Sequence, residues 1–157
     1  MVCAIVAPQC PADSNWPTER DKVIALLDQI ESDYPVDLSH IYVTGFSLGG
    51  NGAWDLAAYH SVRFAAVAPL AGWFQPELAH LLKDIPVWAF HGADDDINPV
   101  TSTIDMVTAL QEAGGHIKST IYPPGLRHEI MQETYKGEEL FNWFLQFNRQ
   151  KARDNFS

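Results

Sequence analysis

The sequence predicts an α/β protein: a three-layer α/β/α sandwich built on a mostly parallel sheet of about five strands. Two observations point there. Short apolar runs of strand length alternate with stretches whose apolar residues recur at helical spacing. The first run, Val2–Ala7, is unbroken rather than alternating, which suits a strand covered on both faces, as parallel strands are. At 157 residues, with no internal repeat, low-complexity tract or linker, the chain reads as one domain over residues 1–157.

The elements follow in order. Val2–Ala7 ends at Pro8 and reads as a first strand. Thr18 followed by Asp21 resembles a capping box, with Val23, Leu26, Leu27 and Ile30 repeating at helical spacing up to Pro35. Ile41–Thr44 is a second strand, Gly49–His60 a helix and Phe64–Leu70 a third strand. Pro76–Lys83 is a short helix and Val87–Phe90 a fourth strand. Thr101–Ala113 is helical with Ile104, Val107 and Leu110 on one face, and Gly114–Gly115 stops it. Ile117–Tyr122 is a fifth strand. Glu133–Phe147 is a last helix, with Leu140, Phe141, Phe144 and Leu145 inward and Gly137 weakening its first turns.

Composition removes several classes of function. A formal net charge of -10 argues against nucleic acid, whose phosphates need Lys and Arg, and against anionic lipid. No stretch nears the roughly 20 apolar residues that span a bilayer, and no signal peptide is visible, so the default expectation is a cytoplasmic protein. Cys3 and Cys10, about 20 Å apart on an extended strand at ~3.3 Å per residue, are too distant for a disulfide and form no metal cluster. No cofactor and no metal are expected.

The chemistry centres on Thr44-Gly45-Phe46-Ser47-Leu48-Gly49-Gly50, a G-x-S-x-G pattern between a strand and a helix. There a serine sits on a tight turn with its hydroxyl lifted above the sheet. Gly45 and Gly49 let strand and helix pack close, and the Leu48 N–H can donate to an oxyanion. A serine hydroxyl needs a base, and the base an orienting acid. His128, in the loop after the last strand, stands where the base belongs. The loop His91–Pro99 offers Asp94, Asp95 and Asp96, any of which can instead cap the next helix or face solvent. His40, His60, His80 and His116 read as surface residues, and His91 as a structural hydrogen-bonding one.

These segments together resemble the α/β-hydrolase superfamily, in its phospholipase/carboxylesterase group and the predicted-peptidase, feruloyl-esterase-like and polyhydroxybutyrate-depolymerase-like relatives. Val36–Gly50, Trp54–Ala57, Phe90–Ala93 and Pro99 carry the resemblance. It implies a minimal α/β-hydrolase fold and a triad of Ser47, Asp95 and His128, since Asp95 stands four residues after His91 and four before Pro99, with Asp96 the next candidate. Tyr135, seven residues after His128, fits too. Two features depart from that pattern. The family's front strands and His-Gly loop, which supplies the second oxyanion donor, are absent, so the domain reads as truncated. One absent strand normally lies between the first two seen here. Gln9, or a backbone N–H near it, is the expected substitute donor. An uncovered sheet edge also suggests a homo-oligomer. Second, Arg127 stands where glycine often precedes the histidine.

The expected function is serine carboxylic-ester hydrolysis through an acyl-enzyme on small or aromatic esters. Trp16, Trp73, Phe74 and Leu126 either line the pocket or cover the core. A peptidase or amidase with the same triad, and a non-catalytic binding protein derived from a hydrolase, are the alternatives.

Overall fold

The computed structural model describes residues 3–149. Four parallel strands form one sheet in the order β1-β2-β3-β4: β1 (Tyr42–Phe46), β2 (Ala66–Leu70), β3 (Val87–Gly92) and β4 (Ile117–Tyr122). The strands β2 and β3 are buried at every position, which is why their sequences read as continuous apolar runs. Consecutive side chains on a strand point to opposite faces. Val67, Val87 and Ala89 therefore enter one core, and Ala66, Ala68, Leu70, Trp88 and Phe90 the other.

The first core is closed by three helices: α1 (Trp16–Asp33), α2 (Leu48–Tyr59) and α3 (Thr101–Glu112). A 3₁₀ segment, Pro76–Leu82, packs with them through Ala79 and Leu82. The second core is closed by α4 (Met131–Tyr135) and α5 (Glu139–Phe144), with Trp143 edge-on to Trp88. This is the expected three-layer sandwich, and every helix-to-strand connection delivers its strand pointing the same way.

Besides shifts of a residue or two at the ends of β2 and β3 and a 3₁₀ turn where a short helix was expected, the structure departs from the sequence reading at five points. Of the expected strand Val2–Ala7, Val2 lies outside the described residues, and residues 3–7 form no strand; Ile5 is 79% exposed. A strand exists only as part of a ladder, and this run has no neighbour to pair with. Helix α1 begins at Trp16, not after Thr18. Its N-cap is Asn15, whose side chain accepts from the Thr18 N–H, while Asp21 caps nothing. Helix α3 is rolled so that Thr103, Met106 and Leu110 face inward and Ile104 is largely exposed. The last helix is two: Lys136–Glu138 breaks it at Gly137, and the break turns Trp143 inward while Phe141 and Leu145 face solvent. Finally, strand β1 starts one residue later than expected and runs through Phe46, right up to the turn that carries Ser47.

Candidate active site

The site lies at the carboxyl ends of the strands, where three loops meet. Strand β1 runs into Ser47, which has φ 56° and ψ -113°, a left-handed backbone that L-residues adopt only under constraint. The constraint is visible. The Ser47 N–H donates to the Leu70 carbonyl at 2.8 Å, tying the turn to β2, and the Asn51 N–H closes the first helical turn onto the Ser47 carbonyl. Gly45 is needed because a Cβ there would come within 2.2 Å of the Gly49 carbonyl oxygen. Gly49 itself faces open space, so the close packing expected of both glycines is required of Gly45 alone.

The Ser47 hydroxyl lies 2.9 Å from Nε2 of His128, and Nδ1 of His128 lies 2.8 Å from Oδ2 of Asp95. An ionised carboxylate can only accept, so Nδ1 carries the proton and Nε2 is left to accept from the serine. Phe46 packs against the imidazole with ring centroids 4.9 Å apart. The His128 side chain is 12% exposed and that of Asp95 is wholly buried. Oδ1 of Asp95 accepts from the Ile97 and Asn98 N–H groups at 2.9 and 2.8 Å. Burial pushes the Asp95 carboxyl up. The Asn98 N–H, His128 and the Ile97 N–H together outweigh it and hold the group below its ordinary 3.8.

The three competing aspartates have three different partners. Asp95 faces His128. Asp94 turns the other way and accepts from the backbone N–H groups of Gly125 and Arg127, at 2.8 and 3.0 Å, across the gap between the two loops. Asp96 pairs with the Arg127 guanidinium. Arg127 has φ 51°, which explains the glycine that the sequence pattern favours there. A Cβ on Gly92 would sit 2.1 Å from the Arg127 carbonyl oxygen, so the base loop rests directly on the end of β3.

The phospholipase/carboxylesterase family matches residues 11–137. The chain belongs to that family. A probable feruloyl esterase C of Aspergillus flavus is 28% identical over 138 residues, covering 85% of this chain and 51% of that protein. Esterase YjfP of Escherichia coli is 37% identical over 68 residues, covering 43% of this chain and 27% of that protein. Among solved structures, a thermostable esterase superposes with a TM-score of 0.86 at 31% identity, covering 90% of this chain and 43% of that one. The chain thus spans about half the length of the feruloyl esterase it matches.

The remaining candidate residues of this family member divide between cleft and core. Leu48 opens α2 and is exposed; its N–H is in the first turn, where no intrahelical acceptor exists. A cleft of about 500 Å³ adjoins it, lined among others by Asn51, Trp73, Phe74, Arg20 and Gln75. Trp73 is 39% exposed there and its carbonyl accepts from the Asn51 side chain. Trp16 instead opens α1 with its indole against Gly52 of α2, where a Cβ would lie 2.6 Å from it. Leu126 packs against the second core. Gln9 is exposed in the irregular stretch before α1, and among the described residues it makes no hydrogen bond to the triad. Tyr135 donates or accepts at the Thr44 hydroxyl, 2.7 Å away, joining α4 to β1.

His91 is fully buried and His40, His80 and His116 are exposed, as the sequence implied; His60 is half-buried. Sequence reasoning missed Asn98. Its side-chain amide donates to the Ala71 and Gly72 carbonyls, its N–H donates to Asp95, and its carbonyl faces His91. Its place inside the acid loop was the only available signal. Among the described residues there is no His, Cys, Asp and Glu cluster fit for a metal, and no helix is long and apolar enough to cross a membrane.

Proposed function

We propose that the protein is a serine carboxylic-ester hydrolase whose nucleophile is Ser47, whose base is His128 and whose orienting acid is Asp95. The observation that carries this reading is the unbroken relay from a strained serine to a buried carboxylate: Ser47 Oγ to His128 Nε2 at 2.9 Å, and His128 Nδ1 to Asp95 Oδ2 at 2.8 Å. Three side chains from three loops meet at hydrogen-bonding distance, and stability alone asks for no such alignment.

Ser47 Oγ attacks the ester carbonyl carbon while His128 Nε2 takes its proton. Asp95 holds the ring and stabilises the imidazolium. The carbonyl electron pair moves onto oxygen, where the Leu48 N–H donates and the N-terminus of α2 adds a partial positive charge. The tetrahedral adduct collapses, His128 returns the proton to the leaving alkoxide, and the acyl group stays on Ser47. Water then repeats the sequence and releases the acid. Small and aromatic esters suit the cleft, because Trp73 and Phe74 offer apolar walls beside Leu48. The esterase names of the relatives, feruloyl esterase C and YjfP, support an ester as substrate.

The test is hydrolysis of p-nitrophenyl acetate and butyrate, with fluorophosphonate labelling. Ser47→Ala should lower kcat by about 10⁴- to 10⁶-fold and abolish labelling, with the fold intact by circular dichroism. A folded wild-type protein that neither turns over nor labels would reject the reading.

A further inference from the structure

Behind the triad lies a buried polar chain that the mechanism above does not use. His91 is 0% exposed at the end of β3, and Thr103 is 1% exposed in the first turn of α3. His91 Nδ1 lies 2.8 Å from the Thr103 hydroxyl. His91 Nε2 lies 2.8 Å from the Asn98 carbonyl oxygen and 3.2 Å from Oδ2 of Asp95. A carbonyl oxygen only accepts, so Nε2 is the nitrogen that carries hydrogen. Nδ1 meets the Thr103 hydroxyl, which is the donor there when the ring carries its single hydrogen on Nε2.

We propose, building on the serine-hydrolase reading, that His91 and Thr103 are positioning residues for the acid: Thr103 anchors the His91 ring to α3, and the His91 Nε2–H, held by the Asn98 carbonyl, keeps Oδ2 of Asp95 in line with His128. The donor count supports it. Oδ1 of Asp95 accepts two backbone N–H groups, Oδ2 accepts from His128, and His91 Nε2 lies 3.2 Å from that same Oδ2. Three donors fix the buried carboxylate, and the His91 edge beside Oδ2 leaves it little room to turn away from His128.

The polar chain also ties the acid loop to α3. Thr103 sits on α3, and Val100, Pro99 and Asn98 lead from α3 back to the acid. A shift of the helix therefore reaches Asp95 through both the loop backbone and the His91 ring. If the Thr103 hydroxyl is removed, Nδ1 has no donor. The ring then loses its tie to α3 and can turn, which draws the Nε2–H off the Asn98 carbonyl and away from Oδ2 of Asp95.

The experiment compares Thr103→Val, nearly the same shape without the donor, with Thr103→Ser, which keeps it. Thr103→Val should lower kcat about 10-fold with KM unchanged, since misaligning a catalytic group acts on the transition state. The acid limb of its kcat/KM profile should move to lower pH, because an imidazolium less well paired with Asp95 gives up its proton more readily. Thr103→Ser should restore both. Nitrogen-15 NMR of the imidazoles supplies a readout independent of turnover. Wild type and Thr103→Ser should show His91 protonated on Nε2, and the His128 Nδ1 proton should shift in Thr103→Val. Turnover and that proton unchanged in a folded Thr103→Val protein would overturn the proposal, as would a wild-type His91 protonated on Nδ1. If wild type neither turns over nor labels, the hydrolase reading fails, and the NMR comparison still decides whether Thr103 positions the acid.

Discussion

At the scale of the residue, the site depends on which atoms of nearly identical neighbours face which way. Asp94, Asp95 and Asp96 are chemically the same, yet one binds backbone, one binds the imidazole and one binds a guanidinium. The loop backbone sorts them, because each residue along it points its side chain in a new direction. Gly92 is the residue on which both loops rest. Gly92→Ala would drive a methyl into the Arg127 carbonyl oxygen at 2.1 Å. The base loop must then lift, so kcat should fall about 100-fold, in line with the cost of roughly 1 Å of misplacement. Stability should fall by about 1–3 kcal/mol through overpacking. Steady-state kinetics with urea denaturation checks both. Wild-type kcat in Gly92→Ala would show that the loop tolerates the displacement.

At the scale of the element, the N-terminal end of α1 sets where that helix lies. The N-cap of α1 is Asn15, its side chain accepting from the Thr18 N–H and hydroxyl, each at 3.0 Å. Its first turn brings Trp16 onto Gly52, and Arg20 onto Asp55 through two hydrogen bonds of 2.6 and 2.8 Å. Both partners belong to α2, the helix whose N-cap is Ser47. Asn15→Ala should cost about 1 kcal/mol, read as a lower urea midpoint with an unchanged slope. It should leave kcat intact, because α2 is held independently by β1 and β2. A matching loss of kcat would mean that the cap of α1 also sets the nucleophile. The capping pattern was misread from sequence because Thr18 is a plausible cap by itself. Only the direction of the chain entering the helix shows that Asn15 gets there first.

At the scale of the whole molecule, acid stability follows from carboxyl groups held below their ordinary value. The Ser39 hydroxyl and N–H, with His40, hold Asp37 at about 2, and Asp95 is likewise lowered. A carboxyl depressed by folding contributes stability that is complete above its unfolded value, here 3.8, and is lost as pH falls through the folded value. Tm measured from about pH 6 down to about pH 2 should therefore decline mainly below about 4. Asp37→Asn should have a lower Tm than wild type above 3.8, and the gap should close as pH approaches 2. A gap that stays constant over that range would show that the hydrogen bonds of Asp37 do not depend on its charge.

The sequence alone determined the three-layer class, the strand-turn-helix around Ser47 and the order along the chain of Ser47, the aspartate loop and His128. These are local or periodic facts: an apolar run, a glycine pair, a spacing. Tertiary structure decided the rest. It decided that residues 3–7 form no strand, because pairing needs a neighbour and an apolar run cannot supply one. It decided which face of α3 turned inward, because Thr103 had a buried partner in His91 and Ile104 had none. It also gave each aspartate its partner, because Gly125, Arg127 and His128 lie some thirty residues away along the chain and meet the acid loop only once the sheet is built.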